Sequence, residues 1–217
     1  MSPFLSMVVK LLGGFRVTVA IFFLTLLFSL PLGLLVAFGR MSRIGVVRWI
    51  FRIYISILRG TPLMLQLLFV YFGPYYLFNI PLGPNYRFIA TIIAFSLNYA
   101  AYFAEIYRAG IESIPIGQFE AAHVLGFTRT RTFFLIILPQ VVKRILPPVT
   151  NEVITLVKDT SLAFALSVLE MFTLAKMIAS ANTTMAPFLV VGLFYYLFNF
   201  LVATAMERIE KALDYYR

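Results

Sequence analysis

Five stretches of about twenty mostly apolar residues constrain what this chain can fold into more than any other feature of its sequence. The hydrocarbon core of a bilayer is about 30 Å thick, and a helix of roughly 20 residues crosses it. The candidate spans cover residues 17–38, 53–72, 88–107, 145–168 and 186–206. The fourth is the least clear, because Lys158 and Asp159 interrupt it. We therefore predict an all-α integral membrane protein with five transmembrane helices.

The composition agrees with a protein that lives in lipid. Of the 217 residues, 61% are hydrophobic and 12% are charged, whereas soluble proteins are roughly half apolar and about a quarter charged. The absence of Cys excludes disulfides and thiolate metal sites, and one histidine, His123, cannot build a typical zinc site. We expect a single transmembrane domain over residues 1–217.

The distribution of the positive charges predicts how the chain is oriented. Cytosolic segments of membrane proteins carry an excess of Lys and Arg near the spans. Thirteen of the 18 basic residues fall on one side of the predicted spans: Arg40, Arg43, Arg48, Arg52, Arg59, Arg108, Arg129, Arg131, Lys143, Arg144, Arg208, Lys211 and Arg217. This predicts an N-terminus outside and a C-terminus inside. A net charge of +9 does not indicate nucleic-acid binding, because no basic face with base-stacking aromatics is evident.

The longest polar interval between spans, about residues 108–144, predicts a helical hairpin on the cytosolic side. Pro115 suits the first turn of a helix, and good helix formers fill residues 118–125. Gly126 can adopt the left-handed conformation that ends a helix. Thr128 can cap a second short helix, which Pro139 should break or kink before the chain re-enters the membrane.

Two interpretations of this hairpin stay open on physical grounds. The small Ala121 and Ala122 would allow close approach to a partner surface. Phe119, Ala122 and Leu125 share one face at spacings of three, so the same helix could equally lie on the bilayer without any partner.

Seven residues of the loop resemble a known family. Their pattern is similar to the E-A-A loop of the membrane subunits of ATP-binding-cassette importers: Glu120, Ala121, Ala122, Gly126, Ile136, Leu138 and Pro139. Residues 59–63 resemble the L-R-G-T-P-L motif of the polar amino acid permeases, and residues 104–111, 146–148 and 158–162 resemble further segments of that family. One departure is His123, where the family often has Arg.

The resemblance implies a type I importer permease fold in a prokaryotic cell membrane. Such subunits pair with a second permease subunit, either a copy or a paralogue, and take an amino acid from an extracytoplasmic binding protein. A coupling helix, here about residues 117–126, docks on a cytosolic ATPase dimer. The implied coupling residues are Glu120, Ala121, Ala122, Gly126, Leu138 and Pro139.

The chain is not expected to be an enzyme or to hold a cofactor. It lacks the G-x-x-x-x-G-K-[ST] phosphate loop, so ATP and Mg²⁺ should bind to the separate ATPase chain. The alternatives were a stand-alone channel or carrier, and a membrane enzyme. A channel or carrier needs inverted repeats or a conducting filter, and neither is evident in the sequence. A membrane enzyme needs a nucleophile, base or metal cluster in a pocket, and no such cluster is evident either.

Polar residues inside spans are costly and are therefore candidates for the substrate path. The candidates are Asp159, Asn98, Thr61, Gly60, Ser161, Thr160, Lys158 and Gln66. A structural role is the alternative, with Asn98 bonding a neighbouring helix and Lys158 bridging to a carboxylate. Within the inner parts of the spans, carboxylates outnumber cations. This favours a polar, basic amino acid as the substrate: arginine, lysine or histidine.

Two further carboxylates are assigned no role in the path. Glu105 should pair with Arg108 or Arg59 as a structural partner. Glu170 should be solvated near the outer face.

Overall fold

The structure is a computed structural model that describes residues 3–83 and 85–213, so Arg217 lies outside the described residues. All regular elements of these residues are helices. In chain order they are α1 (Pro3–Arg40), α2 (Gly45–Gly60), α3 (Leu63–Phe78), α4 (Tyr86–Glu112), α5 (Ile116–Val124), α6 (Arg129–Thr132), α7 (Leu138–Asp159), α8 (Met171–Asn182) and α9 (Ala186–Leu213). A π-helical turn (Phe133–Ile137) precedes α7, and a 3-10 helix (Thr160–Leu166) follows it.

Within the described residues, four helices are long and apolar enough to cross a membrane, and a bent pair brings the count to five. The predicted spans 88–107 and 186–206 are confirmed as parts of α4 and α9. The predicted span 17–38 is confirmed within α1, but α1 begins earlier, at Pro3, and has 38 residues. At 1.5 Å per residue it is about 57 Å long, nearly twice the thickness of the bilayer core.

The second predicted span is wrong as a single helix. The chain breaks between α2 and α3, and their axes differ by 112°. Pro62 has no N–H to continue the helix, and its ring disfavours helical geometry at the preceding residue. Thr61 is accordingly extended, with φ −122° and ψ 149°. The backbone at residues 60–62 therefore forms a sharp elbow.

The fourth predicted span is longer than residues 145–168, because the helical run extends from Arg129 to Leu166. Of the two outcomes predicted for Pro139, a break or a kink, the break is wrong, because the helical run continues through it. Pro139 lies in the first turn of α7, directly after the π-helical turn Phe133–Ile137. A proline is tolerated in a first turn, and a π turn shifts the hydrogen-bond register locally.

The core is built around α4, which packs against α1, α2, α3 and α7. Aromatic side chains four residues apart form a ladder along it, with ring centroids 6.4 Å apart for Phe95 and Tyr99 and 6.2 Å apart for Tyr99 and Phe103. On the face toward α1, small residues allow a close approach: a Cβ on Gly33 would lie 2.9 Å from the Cβ of Phe103. Small residues serve this purpose at helix contacts in membranes, where lipid leaves little hydrophobic driving force between helices.

Gly33→Val tests this close contact of α1 with α4. The added side chain overpacks the interface, and we expect a cost of about 1–3 kcal/mol. The melting temperature of the detergent-solubilised protein should fall by roughly 2–4 °C for each kcal/mol. Gly13→Val is the matched control, because nothing lies within 4 Å of a Cβ at Gly13 of the same helix. Equal melting temperatures for the two variants would contradict the packing described.

Candidate functional site

The predicted helical hairpin is present. The helix α5 follows Pro115, which occupies its N-cap position. Its end has the hydrogen bonds of a left-handed glycine cap: the N–H of Phe127 donates to the carbonyl of Ala122 at 3.0 Å, and the N–H of Gly126 to that of His123 at 3.0 Å. The φ of Gly126 is +79°, which confirms the predicted left-handed turn.

The second arm of the hairpin also begins as predicted. Thr128 is the N-cap of α6, and its hydroxyl accepts a hydrogen bond from the N–H of Arg131 at 3.4 Å. The backbone carbonyl of Thr128 accepts another from the hydroxyl of Thr132 at 3.1 Å. These bonds fix the direction in which the chain leaves the turn at Gly126.

The hairpin displays most of its side chains outward. Of the predicted apolar face only Ala122 is buried, at 1% exposure, whereas Phe119 and Leu125 are exposed. Glu120, Ala121, Gly126 and Pro139 are exposed as well, and Leu138 is partly buried. A groove of about 580 Å³ runs beside the helix, lined by Phe119, Glu120, His123, Phe127, Arg129, Thr132 and Phe133. This surface presents both apolar and charged groups.

Three of the predicted path residues form one hydrogen-bond network at the elbow between α2 and α3. The carbonyl of Leu58 would normally bond the N–H four residues later, which Pro62 lacks. It accepts instead from the side-chain amides of Gln66 at 2.9 Å and Asn98 at 3.0 Å. The Gln66 amide also donates to the hydroxyl of Thr61 at 2.9 Å and accepts from Asn98 at 2.9 Å. Gly60 lies exposed at the end of α2.

The remaining predicted path residues meet where α7 changes to the 3-10 helix. The hydroxyl of Tyr99, on α4, donates to the carboxylate of Asp159 at 2.7 Å. The hydroxyls of Thr160 and Ser161 turn back to the carbonyls of Val157 and Lys158, at 2.7 Å and 2.8 Å. The exposed Lys158 makes no ion pair among the described residues.

The prediction made for Glu170 from the sequence is wrong. It was expected to be solvated, but it is 0% exposed. It caps α8, accepting from the N–H groups of Phe172 and Thr173 at 2.6 Å each, while the hydroxyl of Tyr195 donates to it at 3.3 Å. Burial raises the pKa of the Glu170 carboxyl, and the hydrogen bonds from Thr173 and Phe172 oppose that shift. An acidic residue directly before a helix was the available signal.

Glu105 has the structural partner that was predicted. Its carboxylate pairs with Arg108 at 2.6 Å and lies 3.8 Å from the Nε of Arg40. Arg59, the other predicted partner, instead lies over the ring of Tyr102, 5.1 Å from its centroid. No group of three or more His, Cys, Asp or Glu that could hold a metal ion occurs in the part of the chain that the structure describes.

A family described as "Binding-protein-dependent transport system inner membrane component" matches residues 29–215. The chain belongs to this family. It is 40% identical over 206 residues to the L-cystine transport system permease protein TcyB of Bacillus subtilis, covering 94% of this chain and 86% of that one. It is 34% identical to the arginine transport system permease protein ArtQ of the same organism, covering 94% and 92%.

Solved structures confirm the fold. A crystal structure of an amino acid ABC transporter with histidines has a TM-score of 0.87 at 30% identity, covering 98% of this chain and 99% of that one. The MetNI methionine ABC transporter in an inward-facing conformation has a TM-score of 0.72 at 19% identity, covering 98% and 99%, and shows the fold alone. The chain is therefore an inner-membrane permease subunit of the amino acid importers with the type I fold. It is not itself an enzyme, and the ATPase is a separate chain.

Gly126→Val tests the turn of the hairpin in this permease. Nothing lies within 4 Å of a Cβ at Gly126, so the substitution creates no clash and acts through the backbone. A β-branched residue in left-handed geometry costs at least about 1–2 kcal/mol, so we expect normal membrane insertion and an uptake of amino acids that is reduced at least several-fold. Gly126→Asn is the control, since Asn tolerates this conformation. Normal uptake by the Val variant would show that the turn geometry is not needed.

Proposed function

We propose that this chain is half of the translocation path of an ATP-driven amino acid importer and that α5 is its coupling helix. The displayed hairpin is the observation that carries the proposal. Its apolar side chains Ile116, Val124 and Leu125 are 73%, 86% and 74% exposed. A partner with a complementary groove would cover them.

The small side chain of Ala121 and the carboxylate of Glu120 stand on the same exposed helix. A partner backbone could approach closely at Ala121, while Glu120 and the cations Arg129 and Arg131 offer charged contacts around it. The partner is a cytosolic ABC ATPase dimer, which binds ATP and Mg²⁺. Leu138 and Pro139, at the start of α7, would carry its movement into the membrane.

The positive-inside pattern supports the orientation. Arg129, Arg131 and Arg144 lie at the α5 end of the bundle, which we place in the cytosol, with the N-terminus outside and the C-terminus inside. An extracytoplasmic binding protein then delivers the amino acid at the opposite end. A second permease subunit, a copy or a paralogue, completes the path. ATP binding would bias this pair between two arrangements of packed helices.

Within the membrane we propose that Asp159 faces the path. Its carboxylate is half-buried and, apart from the hydroxyl of Tyr99, has no hydrogen-bond partner among the described residues. Three other candidates flank it at the break of α7: Lys158, Thr160 and Ser161. Four more shape the elbow between α2 and α3: Asn98, Gln66, Thr61 and Gly60. A carboxylate at this depth attracts a cation, which favours a basic amino acid such as arginine, lysine or histidine over neutral ones.

Association with an ATPase is the first test. The tagged chain is purified in mild detergent from its native membrane, and the bound proteins are identified with their stoichiometry. We expect an ATPase at one copy per permease. Ala121→Glu should remove it, because a larger charged side chain blocks close approach. Ala181→Glu is the matched control, since Ala181 is exposed on α8, away from the hairpin. If the wild-type chain carries no ATPase, the importer function is refuted.

The charge of Asp159 is tested separately by transport. Proteoliposomes with the complete importer should take up L-arginine on the order of ten-fold more slowly when Asp159→Asn removes the charge, and L-glutamine uptake should change much less. Tyr99→Phe is the control, because it removes the hydrogen bond and leaves the carboxylate. Unchanged L-arginine uptake by the Asn variant would remove Asp159 from the path.

A further inference from the structure

Apart from the groove beside α5, a polar cavity lies between the end of α2, the last turns of α4 and the middle of α7. Its volume is about 550 Å³, within the range of small-molecule sites. Its charged and aromatic lining consists of Arg59, Tyr102, Glu105, Arg144 and Glu152. It lies closer to the α5 end than Asp159 does, and none of these residues was assigned to the path above.

Glu152 is an unusual carboxylate in this protein. The other described carboxylates of the bundle have partners: Glu105 and Glu112 with Arg108, Glu207 with Lys211, Glu210 with the hydroxyl of Thr150, Asp159 with Tyr99, and Glu170 with its cap. Only Glu152 and the displayed Glu120 make no hydrogen bond or ion pair among the described residues. Glu152 is only partly exposed, and leaving such a charge without a partner is costly.

Arg59 faces the same cavity and makes no ion pair within 4 Å with a carboxylate of the described chain, although its charge attracts Glu105 and Glu152 at longer range. It is held over the ring of Tyr102, 5.1 Å from the centroid. Such a cation–π contact orients the guanidinium and leaves its N–H donors free. Arg59 and Glu152 therefore line one cavity as opposite charges that do not pair with each other.

The position of Glu152 relates this cavity to the proposed path. Glu152 and Asp159 are seven residues apart on α7, which is two turns, so they share a face of the helix and lie about 10 Å apart along its axis. On α4, Tyr99, which donates to Asp159, and Tyr102, which lines the cavity with Glu152, are three residues apart and share a face as well. The two carboxylates thus form successive positions along one side of the bundle.

We propose that Arg59 and Glu152 form a release site that binds the backbone of the transported amino acid before it leaves toward the α5 end. The guanidinium of Arg59 takes the α-carboxylate in a bidentate contact, and the carboxylate of Glu152 takes the α-ammonium. Such a site reads the zwitterion common to all amino acids and ignores the side chain. The proposal rests on the proposed function, because it requires an amino acid as the substrate.

Binding measurements on functional-group analogues test the release site. The permease–ATPase complex is placed in nanodiscs without nucleotide, and the probe is whichever of L-cystine, L-arginine and L-glutamine the wild type takes up. Its α-methyl ester lacks the anionic carboxylate, and its Nα-acetyl derivative lacks the ammonium. Both should bind the wild type about ten-fold to a hundred-fold more weakly than the amino acid, since each loses a charge-assisted hydrogen bond.

The variants should remove these differences one at a time. Arg59→Gln should weaken binding of the amino acid about ten-fold or more and abolish the discrimination against the methyl ester alone. Glu152→Gln should have the same effect on affinity and abolish the discrimination against the Nα-acetyl derivative alone. A residue that only supports the fold would not produce this matching of variant to analogue.

The controls distinguish an effect on binding from a general effect of losing a charge or of misfolding. Arg52→Gln on the exposed side of α2, and Glu207→Gln on α9, remove the same charges outside the cavity and should bind like the wild type. If Glu152→Gln does not give a monodisperse complex, Glu152→Asp replaces it. That variant keeps the charge and should bind more weakly while still rejecting the Nα-acetyl derivative.

Two results would overturn the release site. One is wild-type affinity and analogue discrimination in both the Arg59 and Glu152 variants. The other is a loss of uptake with binding unchanged, which would assign the two residues to a gate. Failure of the proposed function looks different, because the wild-type complex would then take up none of the three amino acids.

Discussion

The carbonyl of Leu58 is the group on which the arrangement of this chain depends. It stands at membrane depth, four residues before Pro62, and so it has no backbone donor. An unsatisfied carbonyl in lipid costs several kcal/mol, and the side chains of Gln66 and Asn98 supply the missing donors at 2.9 and 3.0 Å. The amides of Gln66 on α3 and Asn98 on α4 therefore both stabilise the 112° elbow.

The helix α4 holds the other polar contacts through the same principle. Three neighbouring residues of α4 make these contacts. Asn98 bonds the elbow, Tyr99 bonds Asp159 at the end of α7, and Tyr102 contacts Arg59 at the end of α2. Small and aromatic residues of α4, among them Ala100, Ala101 and Phe103, are fully buried. Through these three polar contacts the central helix α4 connects the end of α2 with the end of α7.

The hairpin at α5 depends on different physics. Its geometry comes from local hydrogen bonds and from one glycine with a φ of +79°, so it needs little support from the bundle. Among its side chains Ala122 is buried and most others are exposed. A structure that is fixed locally and displayed outward can keep its shape when it docks to another protein.

The sequence by itself determined the membrane class, the family and the hairpin, because these depend on composition, on exact motif spacing and on local backbone chemistry at Gly126 and Thr128. It did not determine how far α1 and the helix through Pro139 extend, since charged residues such as Lys10 and a proline after a π turn remain compatible with a helix.

The tertiary structure alone decided which polar groups meet. Asn98 and Leu58 are 40 residues apart, and Tyr99 and Asp159 are 60 residues apart. No local pattern encodes such pairs. The environment of Glu170 also depends on tertiary contacts, since the hydroxyl of Tyr195 reaches it from another helix. Glu152 and Arg59 are 93 residues apart, and only the packing of α2, α4 and α7 brings them to one cavity.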